Sequence, residues 1–372
     1  MAEVGVTNTD RRTHATLRRH VLTAGMALVV ILVHAGCSAA VPSLEIAQTH
    51  MNVARLGHTA TLLQDGRVLV AGGDENGTAE LYEPRTGKLT LTASIPSRPI
   101  GAMAVRLSNG QVLIAGGDEV GTAELFDPTT GQFVPTGSMH EPHSGGTVTL
   151  LPDGRVLVAG GSFERGGDGS ATAELYDPKT GAFTLTGSMN DPRELQTATL
   201  MPGVGVLMVG GIATGTARIA SAEIYYIASG KFQLTGSLSE ARSQHAATLL
   251  QNGQVLVVGG VGNTQDKWEE FTPSAAELFD PLTLRFKSIA WPFRGNSETA
   301  SLMPDGRVLI IGWDAILYDP GSESFTDLGS GGWMSGRTET ALEDGRVLVT
   351  GGWTEDNDAP SSSAAAIYEL KP

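Results

Sequence analysis

Seven residues occupy one equivalent place in a repeated strand pattern, and five of them carry usable chemistry: His58, Gln196, His245, Glu298 and Arg337, with Ala102 and Gly146 completing the set. Three residues ahead of this place stand Arg55, Arg193 and Arg242, and Arg98 and Arg294 lie one position offset. Guanidinium groups gathered on an acidic chain can clamp a carboxylate or sulfate bidentately. His58, His245 and Glu298 form a two-imidazole, one-carboxylate set of the kind that holds a transition metal. They come from separate copies of the repeat with no local ligand spacing, so no metal and no cofactor are expected. Glu298 with Arg337 offers a carboxylate and a cation for general acid–base work. The segment Asp266-Lys267-Trp268-Glu269-Glu270-Phe271 sets two aromatics beside carboxylates, which suits a sugar ring or a protein surface, or else a loop folded over a gap. Glu355-Asp356-Asn357-Asp358 is acidic but lacks the spacing of a calcium loop and reads as a solvated run.

The elements that position these residues repeat. A Gly-Gly pair closes an aliphatic run at Gly72-Gly73, Gly116-Gly117, Gly160-Gly161, Gly210-Gly211, Gly259-Gly260 and Gly351-Gly352, with Gly312-Trp313 in the sixth slot. Seven copies at intervals of about 40 to 50 residues indicate a propeller. Within a copy, an alternating strand such as His58–Leu63 meets Asp65-Gly66 and returns as Arg67–Ala71. Asp-Gly or Asn-Gly recurs at this place and predicts a two-residue type I′ hairpin. A third strand follows, Ala-Glu-Leu-Tyr-Asp-Pro or a near copy, beginning at Ala79, Ala123, Ala173 and Ala276, with variants at Ala222 and Ala315. Its proline cannot donate to a ladder and marks the strand end. A Thr-Gly turn then leads to a fourth strand such as Phe183–Thr186.

This pattern resembles the kelch repeat over about residues 43–372, the galactose oxidase-like branch most closely. It departs where that family has a fourth-strand tryptophan, which is here Phe133, Phe183, Phe232, Phe286, Phe325 or Leu89. The resemblance implies an all-β, seven-bladed propeller with four antiparallel strands per blade and a first strand lining the central channel. The seventh copy stops after three strands, so the segment around Leu44–Ala47 is expected to supply its fourth and close the ring, which removes open edges. Alternating strand direction puts the one-to-two and three-to-four turns on one end, the turn face. The variable connections lie on the other, the loop face, which is the expected binding face. The resemblance also gives the arginine ahead of the first strand a plainer role, bonding loop carbonyls.

Residues 1–37 read as an export signal or lipoprotein leader: Arg11, Arg12, Arg18 and Arg19 precede an apolar run from Val21 to Val33, and Ala35-Gly36 precede the single cysteine, Cys37. The junction resembles a lipobox, although His34 departs from it, and implies lipidation of Cys37. A short linker, 38–42, follows. Export to the cell envelope, the periplasm or the exterior is expected, with membrane contact only through the leader or its lipid. The chain has 48 glycines in 372 residues and only 17% charged side chains, which suits short strands and tight turns. Its net charge of −15, without a basic stripe, excludes nucleic acid as a partner.

With no cysteine beyond Cys37, the crosslinked Cys–Tyr copper chemistry of galactose oxidases is excluded, and the sialidase box is absent. The function expected from sequence is therefore a monomeric, non-catalytic binding or scaffolding module for a glycan or an envelope protein. Two alternatives stand beside it: a sugar mutarotase or epimerase working through Glu298 and Arg337, and a structural surface spacer.

Overall fold

A computed structural model describes residues 42–371 apart from 98, 164–166, 264–272, 294–298, 333–335 and 353–360. The leader, Cys37, Arg98, Trp268, Glu269, Arg294, Glu298 and the acidic run 355–358 lie outside the described residues. Those described form seven four-stranded antiparallel sheets, one two-stranded ribbon pairing Arg242–Ser243 with Val261–Gly262, and no helix.

Blade one shows the plan. Thr59–Leu62, Val68–Ala71, Ala79–Glu83 and Lys88–Leu91 pair in chain order, innermost first. The second strand reads as unbroken apolar sequence because both its faces are buried: Val68, Leu69 and Val70 are fully enclosed. Val68 and Val70 pack against Leu342, Leu348 and Ile367 of blade seven, whereas Leu69 and Ala71 pack against Val112, Ile114 and Phe126 of blade two. Seven such cores fill the seven gaps between neighbouring blades. Each enclosed Val or Leu contributes about 1.5–3 kcal/mol, so stability is spread around the ring and not gathered at one centre.

The ring closes as the sequence predicts. Thr338–Ala341, Val347–Thr350 and Ser362–Lys371 supply three strands of blade seven, and Ser43–Arg55 supplies the outermost. Ser43 pairs with Lys371, and the register runs unbroken to His50 opposite Ala364. The fourth-strand phenylalanines fill the tryptophan slot by leaning on the third-strand ring of their own blade, as in Tyr176–Phe183 and Phe126–Phe133, with centroids 4.8 and 4.9 Å apart.

One local expectation is corrected. The Asp-Gly hairpins are not type I′, since only the glycine has positive φ (86° at Gly66). Gly66 N donates to Leu63 O at 3.2 Å and Leu63 N to Arg67 O at 2.8 Å, which is a four-residue turn closed by a glycine bulge. Asp65 accepts from Arg67 N at 3.1 Å and pairs with its guanidinium at 2.6 Å, stiffening the turn. The Gly-Gly pairs also have a local cause. Gly72 has φ 71° and a Cβ there would stand 2.8 Å from Pro99 O; at Gly73 (φ 74°) it would stand 2.8 Å from His58 Cβ.

Candidate functional site

The loop-face ends of blades one, four and five are built around a buried charge pair. Arg55 is fully enclosed: Nη1 donates to Gly72 O at 2.8 Å and Thr78 O at 2.6 Å, and Nη2 to Glu80 Oε1 at 3.0 Å. Arg193 repeats this on Gly210 O, Ser221 O and Glu223, and Arg242 on Gly259 O, Ala275 O and Glu277. Each glutamate is the one in the Ala-Glu-Leu-Tyr-Asp-Pro strand. These guanidiniums tie the Gly-Gly turn to the third strand and, at 0% exposure, present no face to a carboxylate or sulfate.

The ring of residues beginning with His58 also turns inward. His58 Nε2 lies 2.9 Å from Thr350 Oγ1 and 3.0 Å from Thr338 Oγ1 of blade seven. Gln196 Nε2 donates to Ala159 O of blade three at 2.9 Å, and His245 Nε2 lies 2.9 Å from Thr197 Oγ1 of blade four. Arg337 Nη2 donates to Ile311 O of blade six. Each of these four therefore reaches back to the preceding blade and stitches two sheets together. Burial, helped by the Arg55 charge, pulls the His58 imidazole down to about 3; burial, with Arg242 and Arg193, does the same to His245. Both rings are neutral at physiological pH.

The structure brings one further ionisable group to this ring. Glu339, opposite Val349 on the innermost strand of blade seven, occupies the place held by Ala60, Ala104, Val148, Ala198, Ala247 and Ala300 in the other blades. Its side chain is 4% exposed and that of Arg337 2%. Burial pushes the Glu339 carboxyl up to about 7, against the pull of Arg337 and of the Thr299 and Ser301 hydroxyls that donate to it. Arg337 Nε and Glu339 Oε1 face each other at 4.0 Å, beyond hydrogen-bond reach, and neither atom has a hydrogen-bond partner among the described residues. Two residues past Ile311, Trp313 is 51% exposed on the loop face, and its carbonyl accepts from Gly331 N at 2.8 Å. Sequence reasoning paired Arg337 with Glu298; the carboxylate observed beside it is Glu339. The available signal was a lone charge in a column otherwise filled by alanine and valine.

These features define a seven-bladed propeller of the kelch type. No family model and no curated sequence matches the chain. Among solved structures, a novel fungal alcohol oxidase with catalytic diversity among the AA5 family, in complex with copper, aligns over 87% of this chain and 75% of its own, with TM-score 0.72 and 16% sequence identity. At that identity the likeness is one of fold. The expectation of a non-catalytic binding or scaffolding module is corrected to this extent: a solved protein of this fold is an enzyme, and nothing in the comparison shows a non-catalytic role.

Copper does not fit the residues described. His58 and His245 stand in blades one and five, each turned onto threonine hydroxyls, and no group of three His, Cys, Asp or Glu among the described residues could hold a metal ion.

Proposed function

We propose that this chain is a cofactor-independent propeller enzyme of the sugar mutarotase or epimerase kind, with Glu339 as its proton carrier. The observation that supports this reading is that Arg337 Nε and Glu339 Oε1, buried and 4.0 Å apart, each lack a hydrogen-bond partner among the described residues. A hydroxyl oxygen entering between them accepts from the guanidinium and donates to the carboxylate. If that hydroxyl is anomeric, its proton passes to Glu339 while Arg337 stabilises the developing oxyanion. The C1–O5 bond opens to the carbonyl form as water protonates O5, and reclosure on the other face returns the proton. A carboxyl poised near 7 is populated in both the accepting and the donating state at neutral pH. Trp313 supplies an exposed aromatic face of the kind that stacks on a sugar ring.

The test is anomerisation of neutral, amino and acidic reducing sugars, followed by polarimetry and NMR exchange with the purified full chain and its E339Q variant. Acceleration by the wild type, lost in E339Q, supports the proposal. Absence of acceleration for every class of sugar overturns it. Export through the leader, with lipidation at Cys37, is proposed alongside and is read from the intact mass of the native protein.

A further inference from the structure

Blade three departs from its neighbours in the charge pair described above. Where blades one, four and five place Arg55, Arg193 and Arg242, it places His143; where blade four sets Asn190 against Glu223, it sets His140 against Glu174. His143 is 1% exposed and holds a left-handed backbone with φ 51°. Its Nδ1 lies 2.5 Å from Gly160 O and its Nε2 3.3 Å from Glu174 Oε1. A carbonyl oxygen only accepts, and an ionised carboxylate only accepts, so both ring nitrogens must carry protons to satisfy the two contacts.

A proton on Glu174 instead is opposed by the rest of its surroundings. Oε1 also accepts from His140 N at 2.8 Å and Glu141 N at 3.1 Å, and Oε2 contacts His140 Nδ1 at 2.6 Å. Burial is the largest influence and pushes this carboxyl up, yet the hydrogen bonds from His143, His140 and the backbone together hold it below its ordinary value.

We infer that His143 is held as a buried imidazolium in the arginine slot of blade three, making this blade sensitive to pH where the arginine-bearing blades are not. An arginine stays protonated throughout the physiological range, whereas an imidazole gives up its proton near neutrality. Once His143 loses a proton, an Nε2 lone pair faces the Glu174 carboxylate. Around it, Glu141 accepts from the Ser170 and Thr172 hydroxyls and Arg193 is bound to Glu223, while Glu194, which accepts from Ser162, has its carboxyl pushed up by burial, so the H143R comparison is needed to separate its titration from that of the histidine slot. The connection next to His143, in which Ser144 and Ser162 exchange backbone hydrogen bonds at 3.0 and 2.8 Å, is the one that loosens.

Two measurements on the full chain test this. Nitrogen NMR of the His143 ring in the wild type at pH 6 should show both nitrogens protonated. Hydrogen exchange at the Ser144 and Ser162 amides, corrected for intrinsic base catalysis, should rise as the pH is taken from about 6 to about 9. In H143R that rise should vanish. A neutral His143 ring at pH 6 overturns the inference, and so does the same exchange profile in H143R and wild type. A shift of the His140 and His143 resonances on adding zinc to metal-free protein would put a metal where we place the proton and equally overturn it. If H143R does not fold, the wild-type ring spectrum decides alone.

Discussion

Replacing Glu339 by glutamine tests the buried carboxyl through stability, independently of any substrate. The carboxyl rises from an ordinary 4.5 to about 7 in the folded chain, so between these values the native state holds a proton that the unfolded chain has released. Folding stability contributed by the protonated form is therefore complete below pH 4.5 and is lost as pH climbs to 7, after which it stays flat. A shift of this size corresponds to about 3 kcal/mol at 1.36 kcal/mol per unit, and the 4% exposure of the side chain leaves little solvent screening. Glutamine matches the carboxyl in size and cannot ionise. Urea unfolding of wild type and E339Q at intervals from pH 4 to 9 should give curves that diverge by about 3 kcal/mol between pH 4.5 and 8, with the wild type falling relative to the variant. Parallel curves would refute the assignment of a buried, destabilised carboxylate to this position.

Two further outcomes follow from the architecture. Arg193→Ala strands the fully buried Glu223 and frees the Gly210 and Ser221 carbonyls, so thermal and urea unfolding should register a loss of about 3–5 kcal/mol, while the apolar double variant R193M/E223L should lose much less. Deleting Ser43–His50 removes the outermost strand of blade seven, and should lower the melting temperature and broaden the transition; an unchanged melting curve would contradict ring closure by this segment.

The propeller was legible because its causes are local. Gly-Gly pairs, Asp-Gly turns and the Ala-Glu-Leu-Tyr-Asp-Pro strand each report a backbone constraint within a few residues, and repetition multiplies the signal. Closure was legible because Met51-Asn52 copies Met189-Asn190, and in the structure both asparagines bond the third-strand glutamate, Asn52 to Glu80 at 2.7 Å and Asn190 to Glu223 at 2.6 Å. The site was much less legible, because its partners belong to different blades. Whether His58 faces a ligand or Thr350 depends on the blade that precedes it in the ring, whose Thr350 lies 292 residues away in sequence. The arginines' bonding of loop carbonyls was legible through the resemblance, but only the fold shows the third-strand glutamates that also engage them. Glu339 was not legible because it stands two residues beyond the column containing His58 and Arg337, in a column that is otherwise alanine and valine. The turn type was misread because Asp-Gly fits a type I′ hairpin and a glycine bulge equally well until the φ of the aspartate is known.

The central claim, that the Arg337–Glu339 interval is where protons move, is tested most directly by the pH dependence of kcat/KM for anomerisation of the best sugar found, in wild type and E339Q. The account predicts a wild-type rate that rises with pH through an inflection near 7, where the carboxyl ionises, and a variant profile that is flat and lower by about 10²-fold or more. Superimposable profiles would contradict it.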